Sequence, residues 1–319
     1  MNSWIDKLRE LASDLLDRWD ILLQRLREIA GQLEFARSPN QPDIEPTSFQ
    51  RLSDVKQLGS NAAPVADFTA STFTAPKLPS SAPVYAIGDV HGRADLLDAL
   101  MEVVVEDAKT SKGRPQIVFL GDYIDRGFQS REVISALIEL EKNDAFETTF
   151  LKGNHEQAML HFLKNHSIGP DWAAFGGRET LISYSIAPPK AVNVVEEWEP
   201  IQKELVKTIP SDHVDFLERL AVSHKIGPYG FVHAGVKPGV PYEDQADEDC
   251  LWIREEFLDA PDKEDLFIVH GHTPVNAPFK DHRRVNVDTG AYFTGRLTAV
   301  KISGDQMSFL TNTLPSQES

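Results

Sequence analysis

Five short segments of this 319-residue chain gather the residue types that bind metal ions and move protons. They are Gly88-Asp89-Val90-His91-Gly92, Gly121-Asp122-Tyr123-Ile124-Asp125-Arg126-Gly127, Gly153-Asn154-His155-Glu156, His233-Ala234-Gly235 and Gly271-His272-Thr273. Asp89 and His91 are separated by one residue, and in extended backbone positions i and i+2 point to the same side, so both can reach one ion. Asp122 offers a carboxylate able to bridge that ion to a second, which Asn154, His233 and His272 would complete. Mixed oxygen and nitrogen donors suit Mn²⁺, Fe or Zn²⁺ and not a thiophilic ion. Two such ions ~3.5–4 Å apart can hold a water, lower its pKa and offset charge on phosphoryl oxygens. His155 sits beside the cluster without having to bind it, the place for a general acid, and Asp125 can orient it and keep it protonated. Arg126 can grip a phosphate through paired N–H donors. Gly127 permits close backbone approach. Any one of these motifs alone is weak evidence. All five in order point to metal-assisted phosphate hydrolysis.

Elements must deliver these groups to one place. Each segment follows a short apolar run, and the runs 84–87, 117–120, 148–151, 231–232, 267–269 and 285–287 predict buried strands. Residues 93–108, 130–142, 155–165 and 212–221 predict helices, so the pattern is α/β from residue 83 to 312, without an internal repeat. Residues 1–36 carry an apolar stripe at Trp4, Leu8, Leu11, Leu15, Trp19, Leu22, Leu26, Ile29 and Leu33. Steps of three and four predict an amphipathic helix for self-association or docking. Its mixed charges argue against a membrane surface. Residues 37–82 hold most of the seven prolines from Pro39 to Pro83, among Ser, Thr and Ala, and read as a linker.

The formal charge of −17 argues against a nucleic-acid groove or an anionic membrane partner. One cysteine, Cys250, excludes an internal disulfide. No run approaches the ~18 apolar residues of a membrane span, and residues 1–7 lack the basic start and apolar core of a signal peptide. The expected location is the cytoplasm.

From residue 84 to 302 the segments resemble the phosphoprotein phosphatase branch of the calcineurin-like metallophosphoesterases. The stretches Asp249-Cys250-Leu251-Trp252-Ile253-Arg254, Val269-His270-Gly271-His272-Thr273-Pro274 and Asp288-Thr289-Gly290-Ala291-Tyr292 are similar to its bacterial members, including the Rhizobiales-like phosphatases. The resemblance implies a β-sandwich flanked by helices, with two divalent metals, Mn²⁺ foremost, at the strand ends. It assigns Asp89, His91 and Asp122 to the first metal, and Asp122, Asn154, His233 and His272 to the second. His155 becomes the proton donor backed by Asp125. Arg126 and Arg254 become phosphate clamps, with Asn154 also in reach of the phosphate. Pro274 stands where nuclease-like branches carry a further histidine. Symmetric dinucleoside-tetraphosphate hydrolases typically carry Gln where His91 stands, so the resemblance favours a phosphomonoesterase. The expected function is a protein serine/threonine phosphatase using a metal-bound hydroxide on a phosphoprotein. A tyrosine-directed phosphatase and a nucleotide or dinucleoside polyphosphate hydrolase are the alternatives.

Other residues are less telling. His161, His166, His213, His224 and His282 read as surface or helix-end positions, and His270 as structural support behind the ligands. Trp172, Phe175, Gly176, Gly177 and Tyr184 fit either a substrate wall or an aromatic core. Cys250 has no basic neighbour and reads as inert. Five carboxylates between Glu243 and Asp249 read as a solvated loop, or as a lid that repels polyanions.

Overall fold

The computed structural model describes residues 75–261 and 265–312. The helix expected over 1–36 and most of the expected linker lie outside the described residues. Two five-stranded mixed sheets face one another. In the first, β1 (Val84–Ile87) runs parallel to β2 (Gln116–Phe119), and β2 parallel to β3 (Glu147–Phe150). The hairpin β9 (Thr298–Ser303) and β10 (Gln306–Thr311) adds antiparallel strands on the far side of β1. In the second, β5 (Tyr229–Val232), β6 (Phe267–His270) and β8 (Arg284–Asn286) are parallel neighbours. The antiparallel strands β4 (Ser223–Ile226) and β7 (Phe279–Lys280) form its edges.

The two-residue period of the strands divides the core. Val84, Ala86, Val118, Leu120, Phe231, Val269, Val285 and Val300 fill the space between the sheets. Tyr85, Ile87, Ile117 and Phe119 point the other way, into a layer of helices. There α1 (Ala94–Ala108) buries Leu96, Leu97, Leu100, Met101, Val104 and Val105, a stripe at helical spacing. Beside it lie α2 (Ser130–Glu141), α3 (Asn154–Lys164), α4 (Gly169–Ala174), α5 (Gly177–Ser183), α6 (Trp198–Thr208) and α7 (Ser211–Glu218). Truncating fully buried Leu100 to Ala would cost about 2–5 kcal/mol. On the outer face of the second sheet, Val232 and Ile268 pack with Cys250 of α8 (Asp247–Trp252) and Phe257 of α9 (Glu255–Leu258). A last short helix, α10 (Ala291–Thr294), follows β8.

Every strand expected from an apolar run is present, with ends displaced by at most two residues. The strands not anticipated, β4, β7, β9 and β10, lie outside the parallel cores of their sheets; β4 alternates exposed and half-buried residues, and no residue of β10 is fully buried. Residues 75–82, part of the expected linker, lie against the body: Leu78 joins the inter-sheet core and its N–H donates to the Gly304 carbonyl at 2.8 Å. No described helix is long and apolar enough to cross a membrane.

Candidate metal centre

Six parallel strands end at the same edge of the sandwich, and the turns after β1, β2, β3, β5, β6 and β8 carry the chemistry. These turns are strained. Of six non-glycine residues with positive φ among the described residues, five are His91, Asp122, Asp125, Arg126 and His272. Such conformations cost on the order of 1–3 kcal/mol each and persist only where surrounding bonds enforce them. Here the N–H groups of Val90 and His91 both donate to the Asp122 carbonyl, at 3.0 and 2.8 Å. Two glycines are required by close approach. A Cβ at Gly153 would collide with the Asp122 carboxylate, and one at Gly271 with that of Asp89.

The donors converge. Asp122 Oδ2 lies 3.5 Å from His91 Nε2, 3.7 Å from His155 Nε2 and 3.4 Å from His233 Nε2. Asn154 Oδ1 is 2.9 Å from both His233 Nε2 and His272 Nδ1. The Asp89 carboxylate accepts the His272 N–H at 3.1 Å. His91 and His233 each use Nδ1 on a carbonyl, of Ile124 and Leu120, both at 2.9 Å, which turns their Nε2 atoms toward the carboxylates. Two groups, His91–Asp122–His155 and Asp122–His233–His272, have donor atoms all within 4.8 Å of one another.

The chemistry of this set fits a divalent cation. Burial pushes His233 down, but Asp122 outweighs it and lifts the ring to about 9. The Asp122 charge that favours a proton on His233 would equally favour a bound cation, which would compete with that proton. Burial and the neighbouring His233 push His272 down to about 2. Its ring is thus neutral, and its Nδ1 faces Asn154 as a donor atom for metal. Burial first, and Asp288 second, hold Asp89 well above the usual carboxylate range. Crowded carboxylates and neutral imidazoles of this kind are stabilised by positive charge.

His155 stands at the start of α3 and is buried. Its Nδ1 is 2.8 Å from Asp125 Oδ2. The same carboxylate accepts the Trp172 indole N–H at 3.0 Å and the Thr180 hydroxyl at 2.6 Å. Burial works against a charged imidazole, yet Asp122 and Asp125 together raise His155 above the ordinary histidine value. Trp172 and Thr180 were not anticipated in this role. Trp172 is buried, so it is no part of a substrate wall, and its useful group is the indole N–H. Tyr184 is likewise core, whereas Phe175 lies at the cleft and is 39% exposed.

Glu156, although inside a quoted motif, carried no expected role. It is fully buried and accepts the N–H groups of Gly153 (2.8 Å), Asp122 (2.9 Å) and Tyr123 (2.8 Å). One side chain thereby caps α3 and fastens the turn bearing Asp122 to it. The sequence signal was present: Glu at the third helical position is half of a capping box.

Both expected clamps reach the cluster. The Arg126 guanidinium lies 4.9 Å over the Tyr292 ring, which meets His91 edge-on at 5.5 Å. Arg254 extends to Thr273 Oγ1 at 3.5 Å, and its charge helps depress His272. Asp288, quoted only for resemblance, is buried beside Asp89, and burial raises it to about 6. His270 pairs with Arg284 at 3.0 Å, which fits structural support. His213, expected at the surface or a helix end, lies near the start of α7 but is buried. Burial and the carboxylates of Asp247 and Asp249 push the Cys250 thiol up to about 12, consistent with inertness. The acidic run occupies the Tyr242–Asp244 turn and the first turn of α8, where carboxylates favour the helix dipole, and Glu243 pairs with Lys225 at 2.6 Å.

Comparison with known proteins sharpens this picture. The chain is 30% identical over 230 residues to a protein from Halalkalibacterium halodurans named bis(5'-nucleosyl)-tetraphosphatase PrpE, asymmetrical, covering 67% of this chain and 88% of the relative. It is 28% identical to the Bacillus subtilis protein of the same name, covering 73% and 96%. A crystal structure of a candidate diadenosine tetraphosphatase shares the fold, with a TM-score of 0.51 and 19% identity over 76% of this chain and all of the other. These relatives overturn the expectation of a protein serine/threonine phosphatase. His91 does not discriminate between these substrates, for a physical reason. A metal cluster grips the phosphoryl group, which is common to esters and anhydrides, so a ligand's identity does not report the leaving group. His in place of Gln spoke only against the symmetrical hydrolases. The calcineurin-like phosphoesterase model matches residues 82–302, the span that holds both sheets and every residue of the cluster, and the chain belongs to that family.

Proposed function

We propose that this protein hydrolyses dinucleoside polyphosphates, splitting a tetraphosphate asymmetrically. Four phosphates divide unequally in only one way, into a nucleoside monophosphate and a nucleoside triphosphate. The observation that carries this reading is the 30% identity to a tetraphosphatase across 88% of that relative's length. Two divalent ions, Mn²⁺ foremost, would be held by Asp89, His91 and Asp122, and by Asp122, Asn154, His233 and His272. When bound they supply positive charge for the phosphoryl oxygens and acidify water near neutral pH. Arg126 lies beside His91 and Arg254 beside His272, and they clamp phosphates of the chain. In an acidic protein these guanidiniums and the metals make the cleft locally attractive to a polyanion. His155 gives its Nε2 proton to the departing oxygen, while Asp125, fixed by Trp172 and Thr180, keeps the imidazole oriented and charged.

The test begins with chelator-stripped protein, assayed with and without added Mn²⁺. Its substrates are diadenosine tetraphosphate, a phosphoserine peptide and p-nitrophenyl phosphate. Metal-dependent release of equal ATP and AMP, with the dinucleotide preferred by kcat/KM, is the expected result. Metal-restored turnover of p-nitrophenyl phosphate without dinucleotide cleavage would refute the substrate assignment while leaving the metal centre standing.

A further inference from the structure

The cleft carries aromatic surface that the chemistry above does not use. Phe175 lies edge-on to His155, ring centroids 6.0 Å apart, and against Trp252 at 5.9 Å with the rings tilted by 59°. Trp252 in turn lies 6.4 Å from His272. Neither ring is free to wander. The Trp252 indole N–H donates to Gln157 Oε1 at 2.7 Å, so α3 fixes both the indole and His155. Phe175 closes α4, and the next residue, Gly176, accepts the Arg126 N–H at 3.1 Å, tying this turn to the phosphate clamp. Tyr292 differs: the Arg126 guanidinium covers its face and Phe293 packs against it at 4.9 Å. Its ring positions Arg126. Phe175 remains 39% exposed beside a buried polar cluster, and Trp252 is partly exposed. An anchored, water-exposed aromatic pair at the mouth of a phosphate site is a surface that a flat apolar ring would cover.

We infer that Phe175 and Trp252 seat one nucleobase of the substrate, and that this seat selects the bond that breaks. The inference rests on the dinucleotide reading given above. His155 protonates the leaving oxygen, so a ring in contact with His155 lies on the leaving side. A base joined through a single phosphate to the scissile bond reaches a ring that touches the proton donor. A base three phosphates away overshoots it. The departing piece is therefore the nucleoside monophosphate. Water oxygen bonds to the phosphorus next to the terminal phosphate, and the bond from that phosphorus to the bridging oxygen breaks. The bridging oxygen leaves with the monophosphate and takes the His155 proton; the water's surplus proton passes to solvent. The new oxygen ends in the triphosphate. Phe175 and Trp252 are thus specificity-determining residues.

The experiment compares wild type, Phe175→Ala and Phe175→Trp as Mn²⁺-loaded enzymes on diadenosine tetraphosphate and p-nitrophenyl phosphate. Products are resolved by chromatography, and one wild-type reaction is run in water labelled with heavy oxygen. Phe175→Ala should raise KM for the dinucleotide about tenfold to a hundredfold, the scale of one lost base stack, and more than it raises KM for nitrophenyl phosphate. ADP should appear among its products as the register loosens, Phe175→Trp should restore KM and the product pattern, and the label should appear in ATP. If the wild type cleaves the dinucleotide but Phe175→Ala leaves its KM and products unchanged, the seat is refuted alone. Label in AMP would refute the leaving-side assignment. If the wild type cleaves only nitrophenyl phosphate, the proposed function fails and the inference falls with it.

Discussion

Two buried histidines, His155 at the candidate metal centre and His213 within the helical layer, show how much partners matter and how little burial alone decides. Each has Nδ1 engaged at 2.8 Å, His155 with the Asp125 carboxylate and His213 with the Tyr184 hydroxyl. His213 also meets Ser135 Oγ through Nε2 at 3.1 Å. Burial lowers both. For His155 the carboxylates of Asp122 and Asp125 reverse the outcome, and the ring rises above its ordinary value. For His213 nothing reverses it, and the ring falls to about 4. One histidine is favoured in its charged form and the other is kept neutral as a hydrogen-bonding spacer. Desolvation opposes charge in both places, and only a paired carboxylate overcomes it.

The largest effect should come from removing His155, the proposed proton donor. His155→Asn is expected to lower kcat by about 10²–10⁴ on an alkyl phosphate, whose alkoxide leaves poorly without a proton. The loss should be smaller on diadenosine tetraphosphate, because a departing phosphate is a far weaker base. Steady-state kinetics on both substrates reads the difference. An equal loss on the two would argue that His155 binds or positions and does not donate. His213→Gln, by contrast, should leave kcat on both substrates near wild type.

Next in size is the carboxylate that separates the two histidines. Asp125→Asn keeps the shape but removes the charge, and should cost about tenfold to a hundredfold in kcat, part of what the proton donor contributes in full. Thr180→Val removes the hydroxyl that Asp125 Oδ1 accepts and that also receives the Asp125 N–H at 2.9 Å. Leaving those buried groups unpaired should destabilise the fold by about 1–3 kcal/mol in a denaturant titration. A stability loss with intact kcat would show that Thr180 supports the turn without tuning His155.

Much of the site was legible because metal chemistry restricts residue type, and strand ends restrict position. The candidate metal ligands, His155, Asp125 and both arginines all stand in the quoted motifs, and they lie together at one edge of the sandwich. What escaped notice lies in residues whose role depends on a distant partner. Thr180 is ordinary in sequence, 55 residues from the carboxylate it supports. Trp172 fits a substrate wall or an aromatic core by sequence, although its single donor atom decides its use. Parallel strands were visible as apolar runs, whereas edge strands such as β10 face solvent and lose that signal. The substrate was misread for a related reason: phosphoryl-binding residues are shared by ester and anhydride hydrolases. The groups that contact the rest of the substrate, with Phe175 and Trp252 as candidates, belong to no metal-binding pattern.

The smallest effect concerns His213 and is read as stability against pH. In the unfolded chain its pKa is near the ordinary value of about 6.5, and in the fold it is about 4, lowered by burial, with Asp212 raising and Arg131 lowering it further. Between those values the unfolded state binds a proton that the folded state refuses. Stability from this residue is therefore complete above about pH 6.5 and declines as pH falls toward 4, by about 2–3 kcal/mol. Other groups titrate in the same window, so the useful quantity is the difference between wild type and His213→Gln, whose amide can still bond Tyr184 and Ser135. Denaturant titrations from pH 7 to pH 4 should show the wild type losing more stability than the variant by that amount. Parallel curves would mean that His213 takes up its proton without leaving its site, and that its hydroxyl partners tolerate charge as the Asp125 carboxylate does at His155.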